Sequence, residues 1–514
     1  MKIRNQFLKT LAVWVIPMLF TVSCGDLLEE DLEAQQLEGK LDYTISEDMD
    51  LVIYGAYGEF NFLQWETFPL IGVRGDDVNA AGDQFPLQET DEFRYDRSFW
   101  MYNSAWLNLY TDIVYWNAGI EAIEKYKAAG ADAQLADQYI AEIQVMRGFN
   151  MLQLARLWGK VLIVEGTDLA SLIEEDVSTF NEVMQYISDE MDLAIPNLPA
   201  VRPNQRTDIE NGITRYTALA VKAMANLELK NWQGVADATG EIISSGLFEL
   251  YPDFYQAFNI PGKNSNESLY EFQYSDFGLS SGTTVRYLWN FFGPSGTGFV
   301  PVLEGARGGW GFWEPSLKYV KFMVDRNDQE RLLGSVIFTP DGIDELQADI
   351  GTVPGYISTV MPEGDEFGNS PRYNFLSAKQ YLPTTQLTDG RNNYGENNNF
   401  RVIRYSEVLL MHAEALVSGA SSSVMSADEA VNEVRSRAGL PALSGVTLDE
   451  VLDEKYAEFA MEWGIRFYDL VRHNRTSELD YAGRTYNEGE DRFIPYPLLQ
   501  LDLLPQLKET NNNE

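Results

Sequence analysis

The chain has 514 residues, of which 45% are hydrophobic and 13% aromatic, and its formal net charge is −40. A chain of this length can bury a large core, as about three domains or as one large helical body. The charge argues against nucleic acid binding, which needs clustered Lys and Arg to replace phosphate counterions. It also argues against adhesion of the protein surface to an anionic membrane.

The first 23 residues are typical of a secretory signal peptide. Lys2, Arg4 and Lys9 form a basic start, and an apolar stretch follows over residues 11–22. This stretch is shorter than the roughly 20 apolar residues that a membrane span needs. It ends just before Cys24, which is the only cysteine of the chain.

Cys24 is predicted to become the acylated N-terminus of a lipoprotein. Small residues before a cysteine suit a lipoprotein signal peptidase, and several acyl chains, palmitate among them, hold a protein on a membrane durably. Thr21 stands where such signals usually have Leu, so an ordinary secretory signal with an incidental cysteine is the alternative. An acidic tether is predicted over residues 24–45, after the lipidated cysteine.

Beyond residue 45 apolar residues recur at helical spacing. The predicted helices are 50–62, 107–126, 137–158, 179–195, 214–229, 232–244, 402–417, 427–438 and 448–472. Two adjacent pairs, 214–229 with 232–244 and 402–417 with 427–438, carry alanines where helices must approach closely. They are similar to tetratricopeptide hairpins, although the full 34-residue pattern is absent. The predicted fold is mainly α, a tetratricopeptide-like helical-repeat scaffold, with any antiparallel helix bundle as the alternative.

Two regions, 74–106 and 250–400, lack this spacing and are predicted to be loop-rich insertions. The second is rich in Gly, Pro, Asn and aromatic residues, and its abundant rings argue against disorder. We therefore divide the mature chain into an N-terminal helical region, 46–246, and a C-terminal region, 247–514, with one insertion each. Binding sites are often on such loops.

Several motifs resemble, in order and over essentially the whole chain, those of the SusD/RagB family of nutrient-uptake lipoproteins. They are VMRGFNMLQLARLWG at 145–159, IRYSEVLLMHAEA at 403–415, VNEVRSRAGLP at 431–441, RFYDLVR at 466–472 and IPYP at 494–497. Before the fourth motif, residues 463–465 are Trp-Gly-Ile, where the family more commonly has Gly-His.

The resemblance implies a SusD-like α/α superhelix that is held by its lipid on the outer membrane and exposed at the cell surface. It implies capture of a nutrient, an oligosaccharide or polysaccharide, for a SusC-like TonB-dependent transporter, without catalysis. From the residues themselves, the charged side chains in the motifs are predicted to form partly buried ion pairs that join helices. These residues are Arg147, Arg156, Arg404, Glu407, Glu414, Arg435, Arg437 and Arg466.

A sugar presents an apolar face to an aromatic ring and its hydroxyls to amide or charged groups. The candidate ligand-binding residues on the two insertions are Trp100, Asn103, Arg74, Asp77, Tyr287, Trp289, Trp310 and Trp313. Trp100 and Asn103, three residues apart, could stack on one sugar and hydrogen-bond to it. Burial in the core is the alternative for these rings, above all for Trp310.

No cofactor is predicted, although Asp76, Asp77 and Asp83 are weak candidates for a structural Ca²⁺ site, because calcium prefers clustered oxygen ligands. The two histidines, His412 and His473, both lie in predicted helices. H-E-x-x-H and P-loop motifs are missing from the sequence, and no nucleophile elbow is predicted, although the letters G-x-S-x-G occur once, at residues 278–282. The alternatives to glycan capture are a secreted glycoside hydrolase that uses a carboxylate pair and a helical-repeat scaffold that binds only protein.

Overall fold

The computed structural model describes residues 42–60, 67–275, 291–296, 298–388 and 397–508. The signal peptide and Cys24 lie outside these residues. The helices are α1 (Met49–Phe60), α2 (Thr67–Gly72), α3 (Phe85–Asp91), α4 (Trp100–Ala129), α5 (Ala133–Trp158), α6 (Phe180–Ala194), α7 (Arg215–Glu228), α8 (Trp232–Ser244), α9 (Leu317–Asp325), α10 (Gln329–Ser335), α11 (Pro340–Ile350), α12 (Tyr405–Val417), α13 (Ala427–Arg437), α14 (Leu448–Phe459), α15 (Ile465–Arg472) and α16 (Leu498–Leu503).

The strands are short and form two-stranded antiparallel pairs. They are β1 (Val78–Ala80), β2 (Val161–Leu162), β3 (Val177–Ser178), β4 (Ser268–Phe272), β5 (Phe299–Val300), β6 (Trp313–Pro315), β7 (Val336–Phe338), β8 (Glu366–Phe367), β9 (Phe375–Ser377) and β10 (Phe400–Arg404). The pairs are β1 with β6, β2 with β3, β4 with β10, β5 with β8 and β7 with β9.

Successive helices form the body of the protein. Helix α4 packs on α5, α5 on α6, α6 on α7 and α7 on α8, and α8 then packs on α12, which α13 covers. The predicted mainly α, tetratricopeptide-like scaffold is confirmed. Within the described ranges, no helix is both long enough and apolar enough to span a bilayer.

Local chemistry places several helix ends where the sequence predicts them. Helix α5 ends at Trp158 because Gly159 adopts a φ of 75°, which favours glycine. Helix α6 begins after Thr179, whose hydroxyl accepts a hydrogen bond from the Glu182 backbone N–H at 3.3 Å. The Glu182 carboxylate in turn accepts from the Thr179 backbone N–H at 2.8 Å, so the two residues form a capping box.

The prediction of one helix over 448–472 is wrong, because the chain breaks between α14 and α15. Met461 and Gly464 have φ values of 63° and 65°. The Asp77 carboxylate accepts a hydrogen bond from the Met461 backbone N–H at 2.6 Å. A Cβ atom on Gly464 would lie 2.4 Å from the carbonyl oxygen of Ile71, so only glycine fits there. The break therefore fits this segment against the chain around residues 71–77.

Two other predicted boundaries also need correction. The predicted helix 402–417 begins only at Tyr405, since the preceding residues form β10, which pairs with β4. The β-branched residues Val402 and Ile403 suit this strand. The second insertion, 250–400, is less irregular than expected, because it contains α9, α10 and α11 as well as short strands.

Candidate functional site

The two insertions, far apart in sequence, form one surface. Strand β1 of the first pairs with β6 of the second, with Val78 opposite Pro315. A second connection is Arg372, whose guanidinium forms a 2.8 Å ion pair with Asp83 and donates a 3.0 Å hydrogen bond to the carbonyl oxygen of Trp310. Residues 83 and 310 are therefore held by the same arginine.

Trp100 lies at the start of α4, with 52% of its surface exposed. Just before it, the Asp96 carboxylate accepts hydrogen bonds from the backbone N–H and the hydroxyl of Ser98, at 2.8 and 2.7 Å. This turn fixes the entry into the helix. The neighbouring ring of Phe99 packs edge-on against Phe85, with centroids 5.7 Å apart, and Phe85 itself is 57% exposed. The aromatic surface, defined as Phe85, Phe99 and Trp100, is accordingly rich in accessible rings.

Asn103 follows Trp100 on α4 and is partly exposed. Its side-chain oxygen accepts a 2.8 Å hydrogen bond from the Gln500 amide. The backbone N–H of Leu498 donates to the carbonyl of Arg97 at 2.8 Å, so α16 is bound to the first turn of α4. The NH₂ group of Asn103 makes no hydrogen bond within the described ranges and can donate to a hydroxyl.

Trp310 is partly exposed and its position depends on two glycines. Gly311 has a φ of 62°, and a Cβ there would lie 2.6 Å from the ring of Tyr373. A Cβ on Gly308 would lie 2.0 Å from the carbonyl oxygen of Pro294. The Trp310 ring contacts Phe312 with centroids 5.4 Å apart. The ring is thus held partly in a cluster, which fits the expectation of a largely structural role.

Trp313, predicted as a ligand residue, is fully buried, and that prediction is wrong. Its ring packs against Phe68 and Phe292, with centroid distances of 5.2 and 4.4 Å. A Cβ on Gly72 would lie 2.2 Å from the indole, so the glycine makes room for it. Large rings are often buried in this way.

Arg74 and Asp77 are also buried, which corrects their prediction as ligand residues. The Arg74 guanidinium donates to the carbonyl of Arg492 at 3.0 Å and to the hydroxyl of Tyr468 at 3.1 Å. Asp77 binds the backbone of Met461, and burial raises the pKa of its carboxyl to about 6. Both side chains hold the fold together beneath the surface.

The three weak calcium candidates do not come together as a metal site. Asp76 is buried and pairs with Arg466 at 2.7 Å and with Lys318 at 2.5 Å. Although burial opposes ionisation, Arg466 holds the pKa of Asp76 below its ordinary value. Asp83 pairs with Arg372 on the surface. Over the part of the chain that the structure describes, no three His, Cys, Asp or Glu side chains are arranged to hold a metal ion.

Tyr287 and Trp289 lie outside the described residues. Phe85, Arg372 and Gln500 belong to the site, but sequence reasoning did not find them. Phe85 stands before Pro86, a context that is common at helix starts and carries no sign of exposure. Arg372 and Gln500 reach the site only through tertiary contacts.

The two histidines lie in packed surroundings. His412 is buried in α12, and its Nδ1 atom shares a 2.8 Å hydrogen bond with the Thr239 hydroxyl. Burial lowers its pKa. His473 lies 2.8 Å from the Glu414 carboxylate and stacks on Trp232, with centroids 5.8 Å apart. None of these hydrogen bonds and ring contacts involves a residue of the aromatic surface.

Comparison with known proteins connects this geometry to a family. The model of the SusD family matches residues 355–496. A SusD-like protein of Bacteroides ovatus is 22% identical over 488 residues, which cover 90% of this chain and 82% of that protein. SusD-like protein P2 of Formosa agariphila is 24% identical over 485 residues, which cover 89% of each chain.

Solved structures share the fold. Surface glycan-binding protein A of Bacteroides thetaiotaomicron, in complex with laminarihexaose, superposes with a TM-score of 0.72 at 21% identity. The match covers 91% of this chain and 99% of that one. The two proteins therefore have the same helical architecture over nearly their whole lengths.

Proposed function

We propose, from the premise that this chain belongs to the SusD/RagB family, that it captures a glycan at the cell surface and passes it to a SusC-like TonB-dependent transporter. In this role the protein binds and does not catalyse. The chemistry of the sugar is left intact, so the task of the site is to hold a chain of hydroxylated rings weakly enough to release it.

The observation that carries the proposal is the exposure of Phe85, which contacts Phe99, and of Trp100, which follows Phe99 and precedes Asn103 by three residues on α4. Large exposed apolar side chains that lie together commonly mark a binding surface. A sugar ring can place its C–H face on the Trp100 indole and accept a hydrogen bond from Asn103 through a hydroxyl. Trp310, joined to Asp83 through Arg372, adds a partly exposed ring from the second insertion.

Attachment and partner belong to the same proposal. The apolar signal before Cys24 supports lipidation there, and the acidic residues at 25–31 resemble the surface-export signal of lipoproteins in the Bacteroidetes. A lipid-anchored protein on the outer membrane could rest on a transporter barrel and release its ligand into it. The strongly negative charge argues against nucleic acid as a ligand.

The hydrolase alternative needs two carboxylates that face a substrate. Asp77, Asp91 and Glu314 have pKa values raised by burial, to about 6, 7 and 6. A raised pKa suits a general acid, but Asp77 and Asp91 are buried under the β1–β6 junction and are bound to backbone N–H groups. Asp77 and Asp91 therefore stabilise the fold and do not form an exposed catalytic pair.

The proposal is tested by affinity electrophoresis of the mature protein in gels that contain single polysaccharides. Laminarin is the first choice, since a solved relative holds laminarihexaose. At least one polysaccharide is expected to slow migration, and an assay for reducing ends is expected to detect no cleavage. Release of reducing ends would favour the hydrolase, and unretarded migration on a broad panel would contradict glycan capture.

A further inference from the structure

A cavity of about 270 Å³ lies away from the aromatic surface, with which it shares no residue. Buried side chains of α5, α7 and α15 form its floor: Arg156, Glu228 and Arg472. The exposed residues Lys230 and Asn474 are at its mouth. Ligand cavities are commonly somewhat larger than this one, so its volume suits a ligand about the size of one sugar residue.

The floor carboxylate already has partners. Glu228 accepts hydrogen bonds from Arg156 at 2.8 and 3.0 Å and lies 3.4 Å from Arg472. Although burial opposes its ionisation, Arg156 and Arg472 hold the pKa of Glu228 below the ordinary value. Arg472 is further compensated by Glu414 at 3.0 Å. The floor is therefore a fixed, ionised framework.

Two cations on the wall and mouth, Arg492 and Lys230, form no such ion pair, although Arg492 and Glu228 attract each other at longer range. The Arg492 guanidinium lies over two adjacent rings, 5.3 Å from the centroid of Phe180 and 4.8 Å from that of Phe493. Such stacking holds an arginine in place while its N–H groups remain available. Within the described ranges, no carboxylate lies within 4 Å of the charged groups of Arg492 or Lys230.

A third surplus charge lies directly beneath the cavity. Arg74 is buried, and its guanidinium donates to the carbonyls of Arg492 and Arg156 and to the hydroxyls of Tyr468 and Tyr95. Its Nε atom has no hydrogen-bond partner among the described residues. No carboxylate of the described residues pairs with Arg74; although burial opposes its ionisation, Tyr468 and Tyr95 raise its pKa, so it stays charged. An anion in the cavity would be attracted by this fixed positive charge.

The carboxylate of Glu488, which also lines the cavity, is exposed and accepts a 3.0 Å hydrogen bond from the Thr476 hydroxyl. It can reduce the positive potential at the entrance. The buried Arg74 and the stacked Arg492 lie deeper and keep an excess of positive charge there. This excess is notable in a chain with a net charge of −40, whose surface otherwise repels anions.

We propose that this cavity binds an oxyanion group, a carboxylate or a sulfate, carried by a single sugar residue. Arg492 would form the principal ion pair, because a guanidinium donates to two oxygens at once. Lys230 would add a second cation at the mouth, and the Asn474 amide would meet a sugar hydroxyl. The cavity is a second site, and its ligand need not be the glycan that binds at the aromatic surface.

The test is calorimetric titration of the full mature protein, kept in detergent, at low ionic strength. The probes are glucuronate, glucose 6-sulfate, inorganic sulfate and neutral glucose. One or both sugar anions are expected to bind saturably, and added salt should weaken the binding. Glucose should bind at least tenfold more weakly. Equal binding of glucose, or binding of neither sugar anion, would overturn the proposal, and so would inorganic sulfate that binds as tightly as the sugar anions.

Variants locate the binding. Arg492→Gln and the exposed Lys230→Gln are each expected to weaken sugar-anion binding at least tenfold. Arg97→Gln removes an exposed arginine beside the aromatic surface and is the control of equal charge change. Lys230→Gln keeps the test valid if Arg492→Gln fails to fold. Unchanged affinity in the folded variants, or an equal loss in the control, would overturn the proposal. Retardation by neutral polysaccharides tests glycan capture, and titration with sugar anions tests the cavity. Either proposal can therefore fail while the other holds.

Discussion

Arg404 and Glu458 form a buried 2.8 Å ion pair that joins the end of strand β10 to helix α14. Arg404 also binds Glu267 at 2.7 Å, and Glu458 also pairs with Arg437. Although burial opposes ionisation, Arg437 and Arg404 hold the pKa of Glu458 well below its usual range. The interpretation of these motif arginines as ion-pairing residues that join structural elements is therefore confirmed.

Replacement of Glu458 should destabilise the protein strongly. Glu458→Ala leaves Arg404 and Arg437 buried without this partner, and the loss of one member of a buried pair typically costs about 3–5 kcal/mol. Asp449→Ala is the control, since its ion pair with Arg475 is on the surface and is expected to contribute less than about 1 kcal/mol. Chemical denaturation measures both variants. Similar small losses would show that the buried network is not needed.

Trp100→Ala is expected to lower the affinity for the retarding polysaccharide at least tenfold, or about 1.4 kcal/mol, because the variant removes the exposed stacking face. Tyr115→Ala is the control. Tyr115 is also exposed, lies on the same helix, and is about 22 Å further along it. Affinity electrophoresis compares the two variants, and circular dichroism checks that both fold. Equal effects of the two substitutions would argue against a site at Trp100.

The pKa of Asp77 predicts a pH effect on stability. Burial raises it to about 6, against about 4 in an unfolded chain. The folded state thus binds the Asp77 proton more tightly than the unfolded chain does. Asp77 therefore stabilises the fold below about pH 4, and this contribution is lost as the pH rises to about 6. The full effect corresponds to roughly 3 kcal/mol.

Asp77→Asn should abolish this dependence. The stability of the variant minus that of the unaltered protein is expected to be larger at pH 7 than at pH 4.5. This holds whatever the cost of the substitution itself. Thermal unfolding midpoints at several pH values measure the difference, with the exposed Asp449→Asn as control. Parallel curves for the variant and the unaltered protein would mean that Asp77 does not titrate in this range.

Gly464→Ala should destabilise the break between α14 and α15. The new Cβ would lie 2.4 Å from the Ile71 carbonyl oxygen at a φ of 65°, so both space and backbone oppose it. Gly439→Ala is the matched control, since Gly439 has a φ of 69° but nothing lies within 4 Å of an added Cβ. The control should cost about 1–2 kcal/mol for backbone strain alone. A loss for Gly464→Ala no larger than that would contradict the close approach.

Cys24→Ser should release the protein from the membrane. Without the thiol, acyl chains cannot be attached, and the burial of their CH₂ groups, about 0.8 kcal/mol each, is lost. Fractionation of cells, together with mass spectrometry of the mature N-terminus, measures the change. Ser23→Thr, beside the cleavage point, is the control that leaves the cysteine in place. Membrane association that persists in Cys24→Ser would contradict the predicted anchor.

The sequence by itself determined much of the helical scaffold. Apolar spacing fixes which segments form amphipathic helices, and local chemistry fixes ends such as Gly159 after α5 and the Thr179 cap of α6. Most charged residues of the motifs, such as Arg404 and Glu414, were also predicted correctly as members of ion pairs, whereas Glu407 forms none within the described ranges and burial raises its pKa to about 7. The helices and their ends depend on neighbours within a few turns, whereas the partners of the motif charges come from distant segments, as Asp76 does for Arg466.

Only the tertiary structure decided which rings are accessible. Trp100 and Trp313 both follow irregular sequence, yet Trp100 is half exposed and Trp313 is buried against Phe68 and Phe292. Exposure depends on what other segments cover, here the β1–β6 pairing and the contact of α16 with α4. The break at Gly464 has the same origin, since it is set by Ile71, which lies almost 400 residues away along the chain. Long-range packing of this kind leaves no periodic signal in a single sequence.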